Sequence, residues 1–509
     1  MAKVLITEKY LEDIADAIRA KHNTDATYTP AVMATAITNI PVEGVEIDSH
    51  EWEDWRMTAQ TYERIKESYT NDRINMIGNY ALAGCNIKRI SIPNATTIGT
   101  YGLYETCYVN VLDLPSLKIA TNNSFNGLAG NLYKVNLDNL EKVGLNSFAN
   151  ITTLKAIRLP NLVEDYNSLF KNSNGLLAIG LPKFEGSSNS SAEFQGCSKL
   201  VGISLPNAKA IYNTMFQNCS ALKIVDFGEY ATTIPTTSSY NSPFYGYSAM
   251  PLDTLILRSP TVVELKIGAD SLLSVTQIAK GAGYIYVPQA IIEDYKTATN
   301  WAVLASQFRA IEDYPAIANG WCGYYHYPLD EARHPNGYVI TATGPDNEFH
   351  MNNPYITACD DENCVSVGSN GLKNCENLVY VRLPKCETVY GLENNPKLEV
   401  VDLPAVEGLY NSALSRCSNL ALIDLPETCK KVNATMQDCP KLTTVIFRSK
   451  TMVSGLFQTL NGEEYYPFKN SPVKYIYVPE ALLNEYKNDA NWSRYKNKFI
   501  KIEGSDFDF

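Results

Sequence analysis

Along most of the chain one short pattern of apolar and polar positions returns: an aliphatic residue, any residue, a second aliphatic residue and then, in most copies, proline. It reads ISIP ending at Pro93, LDLP at Pro115, VNLD at Asp138, IRLP at Pro160, IGLP at Pro182 and ISLP at Pro206, at spacings of 22, 23, 22, 22 and 24 residues. VDFG ending at Gly228 and LILR ending at Arg258 continue it. After a gap it restarts as VRLP at Pro384, VDLP at Pro404, LDLP at Pro426 and VIFR at Arg448. In the copy LKAIRLPNLVEDYNSLFKNSNG, Leu154, Ile157 and Leu159 alternate as a short strand with its apolar side inward. Pro160 ends that strand because it has no N–H to give a neighbouring copy. Leu162 and Val163 turn the chain back, and Leu169 with Phe170 fill the core from the far side. One such unit cannot enclose a core, so the copies must stack.

The unit resembles the BspA type of leucine-rich repeat, over about 76–312 and 366–503. The proline after the strand and the Phe-x-x-Cys ending, as in Phe194–Cys197 and Phe216–Cys219, carry the resemblance. Asp138 departs from it, and so does the loop TTIPTTSSYNSPFYGYSAM, which lengthens one copy. The resemblance implies an α/β repeat solenoid with short parallel strands. Two phrases, YIYVPQAIIEDYKTATNWAVLASQFRAIE from Tyr284 to Glu312 and YIYVPEALLNEYKNDANWSRYKNKFIKIE from Tyr475 to Glu503, match without a gap. Each reads as a last strand followed by a helix that closes an array, since an uncovered terminal repeat exposes apolar core. The expected organisation is therefore a first array with its cap over 76–312 and a second over 366–509. Residues 313–365, with His326, His334, His350, Trp321, Tyr324, Tyr325 and Tyr327, connect them and open the second array, and 42–75 form a linker that opens the first.

Residues 1–41 follow a different period. Thr7 is placed to cap a helix with Leu11, Ile14, Ala15 and Ile18 on one face, and Pro30 starts a second helix with Met33, Ile37 and Ile40. Two such helices cannot make a core alone. The segments Leu11 to Arg19 and Tyr28 to Met33 resemble a module that opens tail-fibre and baseplate-associated proteins of phages of gut Firmicutes. That resemblance implies attachment to a phage tail or baseplate protein, and it leaves a homotrimer open.

Composition narrows the chemistry. Among 509 residues the charged fraction is only 19% and the net charge is −12, with no basic run, which argues against a nucleic-acid partner. No apolar stretch is long enough for membrane insertion, and the first residues carry too much charge for a signal peptide. These features, with the phage-like module, predict folding in a bacterial cytoplasm and a final place in the virion tail. Of twelve cysteines, Cys85, Cys107, Cys197, Cys219, Cys375, Cys417 and Cys439 share one repeat position, as packing thiols would; Cys359 and Cys364 are spaced so that a link is conceivable. No nucleotide loop, serine elbow or zinc-protease motif occurs, so no catalytic residue, metal or cofactor is called. The acidic pairs Asp360-Asp361 and Glu463-Glu464 read as solvated. Between the inward aliphatics sit Ser91, Asp113, Asn136, Arg158, Gly180, Ser204 and Asp226, then Arg382, Asp402 and Asp424. This outward ladder is the candidate ligand-binding surface, for a host surface glycan or protein. A phage receptor-binding protein is the reading that joins these features; a bacterial surface adhesin and a carbohydrate-active enzyme are the alternatives.

Overall fold

The computed structural model describes residues 45–47, 66–130, 132, 134–187, 192–247, 249–325, 336–340, 350–455 and 457–508. The expected helices of 1–41 lie outside the described residues, as do His326, His334 and Tyr327. What is described is a parallel-strand solenoid of stacked coils. Each recurring phrase forms one strand of a major sheet. In the first half these strands are Lys66–Thr70, Ile87–Ser91, Val111–Asp113, Lys134–Asn136, Ala156–Arg158, Ala178–Gly180, Gly202–Leu205, Ile224–Phe227, Thr254–Leu257, Tyr284–Val287 and Phe308–Ala310. In the second they are Gly323–Tyr325, Ile356–Asp360, Tyr380–Arg382, Val400–Asp402, Leu422–Leu425, Thr444–Phe447, Tyr475–Val478 and Phe499–Lys501.

The far side of each coil corrects the α/β expectation. It carries a very short second strand, such as Thr97–Ile98, Lys142–Val143, Thr388–Val389 or Lys431–Val432, and these pair in parallel into a minor sheet. Helix is scarce: among the described residues no α-helix exceeds six residues. The reason is length. About 22 residues must make two strands and two turns, which leaves no room for a helix of several turns. The turns bend through left-handed residues, mostly asparagine, as at Asn123, Asn146, Asn172, Asn374 and Asn394. Asparagine tolerates that conformation better than other side chains with a Cβ.

Two apolar clusters form, one running from Ile74 to Ala310 and one from Trp321 to Phe499. Stacking repeats each side chain at a fixed height. Phe125, Phe148, Phe170, Phe194, Phe216 and Phe244 make a spine with ring centroids 4.8, 5.5, 6.1, 5.3 and 5.9 Å apart. Asn126, Asn150 and Asn172 bond side chain to side chain along one turn line, and Asn352, Asn374 and Asn394 do so along another.

The end segments also differ from expectation. Tyr284–Val287 and Tyr475–Val478 are not last strands; Phe308–Ala310 and Phe499–Lys501 follow and add to the same sheets. Between them lie the six-residue helices Ile292–Thr297 and Leu483–Asn488. The matched residues do the same work twice. The Val263 amide donates to the Tyr295 hydroxyl and the Trp301 indole donates to the Val263 carbonyl, at 3.0 and 2.7 Å. Val453, Tyr486 and Trp492 repeat this at 2.7 and 2.9 Å.

All twelve cysteines are free, including Cys359 and Cys364, so the conceivable link does not form. The two thiols belong to successive strands and pack separately into the second core. Five cysteines of the shared position each donate to a carbonyl of the coil before: Cys197 to Phe170, Cys219 to Phe194, Cys375 to His350, Cys417 to Leu392 and Cys439 to Leu414, at 2.8–3.3 Å. Ser173 fills the same role toward Phe148. Burial pushes the Cys219 and Cys375 thiols up to about 12 and that of Cys439 up to about 11. They stay protonated at neutral pH, and a thiol is a poor nucleophile. Native protein treated with a thiol reagent at pH 7 is therefore expected to label at Cys107, the one half-buried cysteine, and at the other eleven only after unfolding. Mass spectrometry of the native digest checks this; rapid native labelling of Cys219 or Cys417 would contradict it.

Candidate functional site

The outward faces of the two major sheets meet. A third apolar cluster joins Leu177, Ala178 and Val201 of the first half to Tyr324, Ala358, Val379 and Tyr380 of the second. The contact is close because the first half is small where the second is large. A Cβ on Gly180 would overlap the Tyr324 ring, and one on Gly202 would lie 2.6 Å from Thr357 Cγ2. At the centre Asp360, fully buried, is held by Arg158 of one sheet at 3.2 Å and Arg382 of its own at 3.1 Å. The Tyr324 hydroxyl donates to its other oxygen at 2.5 Å. Arg158 also reaches Glu362 at 2.6 Å, and Lys155 reaches Glu399 at 2.7 Å. Asp360 and Asp361 are thus buried and not solvated, because sheet-on-sheet packing brings guanidinium groups over the first of them. Asp361 accepts from the Asn363 amide and the Tyr338 hydroxyl, and burial pushes its carboxyl up to about 7.

The remaining ladder residues are placed as follows. Ser91 and Asn136 both donate to Asp113, each at 2.9 Å. Asp226 is buried, with Arg258 bidentate on it at 2.8 and 2.9 Å and the Cys322 thiol donating at 2.8 Å. Arg448 grips Asp424 in the same way at 2.8–3.0 Å. Arg382 also pairs with Asp402, which is exposed, and Ser204 is half-buried. Most of the ladder is therefore engaged within the protein.

Two crossing segments finish the junction, and they match. Arg258 donates to the carbonyl of Ile317 and Arg448 to that of Phe507, in both cases 59 residues later. Tyr314 lies edge-on to Tyr286, and Phe507 edge-on to Tyr477, both at 4.9 Å. Each half's exit segment thus lies over the outward face of its own last strands.

A different surface stays open. The insertion TTIPTTSSYNSPFYGYSAM presents Tyr240, 72% exposed, and Tyr247, 86% exposed, on either side of Tyr245, with ring centroids 5.7 and 5.9 Å apart. Beneath them the loop is pinned. Phe244 enters the phenylalanine spine, and the Ser242 hydroxyl donates to the Leu272 carbonyl at 2.6 Å. The Phe216 and Asn218 amides donate to the carbonyls of Pro243 and Tyr245, and the Tyr247 amide donates to Asn218 Oδ1. Sequence reasoning saw this loop only as a break in the repeat; four tyrosine-rich positions among serines in SSYNSPFYGY were the available signal.

The BspA type leucine rich repeat region matches at residues 59–176, 118–245 and 347–461, together more than half of the chain. Among solved structures, a leucine rich cell surface protein from Faecalibacterium prausnitzii is 16% identical over 85% of this chain and 84% of that one, with a TM-score of 0.19. A leucine-rich repeat protein from Bacteroides ovatus is 16% identical over 84% and 88%, with a TM-score of 0.20. One from Eubacterium ventriosum is 14% identical over 79% and 84%, again at 0.20. Superpositions at this level say nothing about ligands. No curated protein matches significantly.

The buried Asp226–Arg258 pair has a measurable consequence. Arg258→Met removes both guanidinium bonds from a carboxylate that is 4% exposed, and is expected to cost about 3–5 kcal/mol of stability. Asp226→Leu combined with Arg258→Met should recover much of that loss. Urea unfolding of the three proteins checks it; equal midpoints for the wild type and Arg258→Met would contradict it.

Proposed function

This chain belongs to the BspA type leucine-rich-repeat family, and from that footing we propose that it is a recognition protein whose ligand lies on a cell surface. The observation that carries the reading is the trio Tyr240, Tyr245 and Tyr247, exposed on an insertion whose backbone is fixed from below. Tyrosine offers a wide apolar face and a polar tip, and ordering it costs little because it has few rotatable bonds. A loop already held in place has little further entropy to lose on binding. Ser238, Ser239 and Asn241 add hydroxyl and carboxamide groups between the rings. That mixture favours a glycan, whose sugar rings stack on aromatic faces while their hydroxyls bond to polar neighbours. The ladder contributes less, since Arg158, Asp226, Arg382 and Asp424 are occupied; Ser204 and Asp402 remain available. The reading is of binding and not of catalysis.

The finer assignment is a phage tail fibre, attached to the tail or baseplate through residues 1–41. It rests on the likeness of that module to phage tail proteins.

Two experiments test these readings separately. Tyr240→Ala with Tyr247→Ala changes two exposed side chains, so melting should be unaltered. Binding of the labelled protein to susceptible cells should weaken about tenfold or more; unchanged binding would remove the insertion from the site. A chain lacking residues 1–41 should bind cells as before but be absent from purified virions. Normal incorporation would end the tail-fibre assignment and leave the recognition role standing.

A further inference from the structure

Where the C-terminal segment crosses the first coils, a cavity of about 200 Å³ opens between the two halves. Ser68, Lys88, Arg89 and Asn110 form one wall, and the turn from Gly504 to Asp508 forms the other. Most of the polar groups here are answered. Lys88 Nζ lies 3.6 Å from the Asp506 carboxylate, and Asn110 Nδ2 donates to the Asp506 carbonyl at 3.4 Å. The Gly504 amide donates to Asp508 at 2.8 Å. Arg89 is the exception: its Nε is buried and has no hydrogen-bond partner. Arg89 stands two residues before Ser91 and shares its outward face, and its register neighbours Ser68 and Val111 bring no carboxylate. A buried guanidinium N–H without an acceptor is a costly arrangement, and an acceptor entering the cavity would relieve it.

We propose that this cavity binds a small hydroxylated carboxylate, of the class of a uronic acid unit. The carboxylate would lie against the Arg89 guanidinium, which presents donors in a planar fork. The hydroxyls would meet Ser68, Asn110 and Ser505, and could donate to the oxygens of Asp506 and Asp508. Those two aspartates select against a phosphate dianion, which they would repel. The volume suits a single sugar-sized unit and not a longer chain. The site draws on the first three described coils and on the C-terminal segment, so it is independent of the tyrosine insertion, and an occupant would tie that segment to the first sheet.

The test is calorimetric titration of the full chain with sodium glucuronate at constant ionic strength, with glucose and alanine as comparisons. Saturable binding of glucuronate alone is expected. Arg89→Gln should weaken it about tenfold or more, and Ser505→Tyr, which fills the cavity from the opposite wall, should abolish it without altering the melt even if Arg89→Gln disturbs folding. Absence of saturable binding, equal binding by Arg89→Gln that melts as wild type, or equal binding of alanine would each overturn the proposal. Tyr240→Ala with Tyr247→Ala should leave the titration unchanged, which separates this site from the proposed recognition surface.

Discussion

A coil of about 22 residues has no interior of its own, and everything else in this molecule follows from that. Its strands of two to five residues find their backbone partners only in the coils above and below. Its apolar side chains are covered only when the next coil repeats them at the same height. Each position is therefore judged along the stack as well as along the chain. Phenylalanine recurs where rings can lie over one another, asparagine where amides can chain together, and cysteine or serine where a small donor can reach the carbonyl of the preceding coil. The same constraint makes the ends costly. Trp301 and Trp492 answer it with one large buried side chain each, oriented by an indole bond to the valine that sits beneath it.

A second demand arises on the outward face of the major sheet. A parallel sheet is normally covered on both sides, and here one half covers the other. The small residues Gly180 and Gly202 admit Tyr324 and Thr357, and Asp360 is buried because two arginines arrive with it. Removing either arginine alone would leave a carboxylate in a space that water cannot fill. Toward the ends of each sheet, where the two halves no longer cover each other, the exit segments take over. Their use of an arginine bond and an aromatic edge in matching places shows one solution applied twice.

The inward half of this architecture was legible in the sequence and the outward half was not. Ile157 and Leu159 announce a strand by alternation, and Trp301 and Trp492 announce matching ends by identical spacing. The minor strands were missed because two residues, as in Thr97–Ile98, are too few to show a period. Arg158, Asp360 and Arg382 looked like solvated members of a ladder because the strand pattern says only that they point away from their own core. Which surface lies opposite depends on how two distant halves pack, and no local pattern encodes that. The glycine at 180 was the one hint, since an outward position has no need to be so small unless something approaches it.

Packing the two sheets together also changes where recognition can occur. A surface used to join the halves cannot accept a ligand without separating them, and the buried Asp360 makes separation expensive. What remains is the periphery, where insertions can vary without disturbing the stack. The loop bearing Tyr240, Tyr245 and Tyr247 keeps one residue, Phe244, in the spine and exposes the residues around it. It thereby escapes the constraint on every other coil: its buried part obeys the repeat while its exposed part is free of it. A solenoid that spends its sheet faces on itself can still evolve specificity at such points, because each anchored insertion inherits the rigidity of the coils on which it sits.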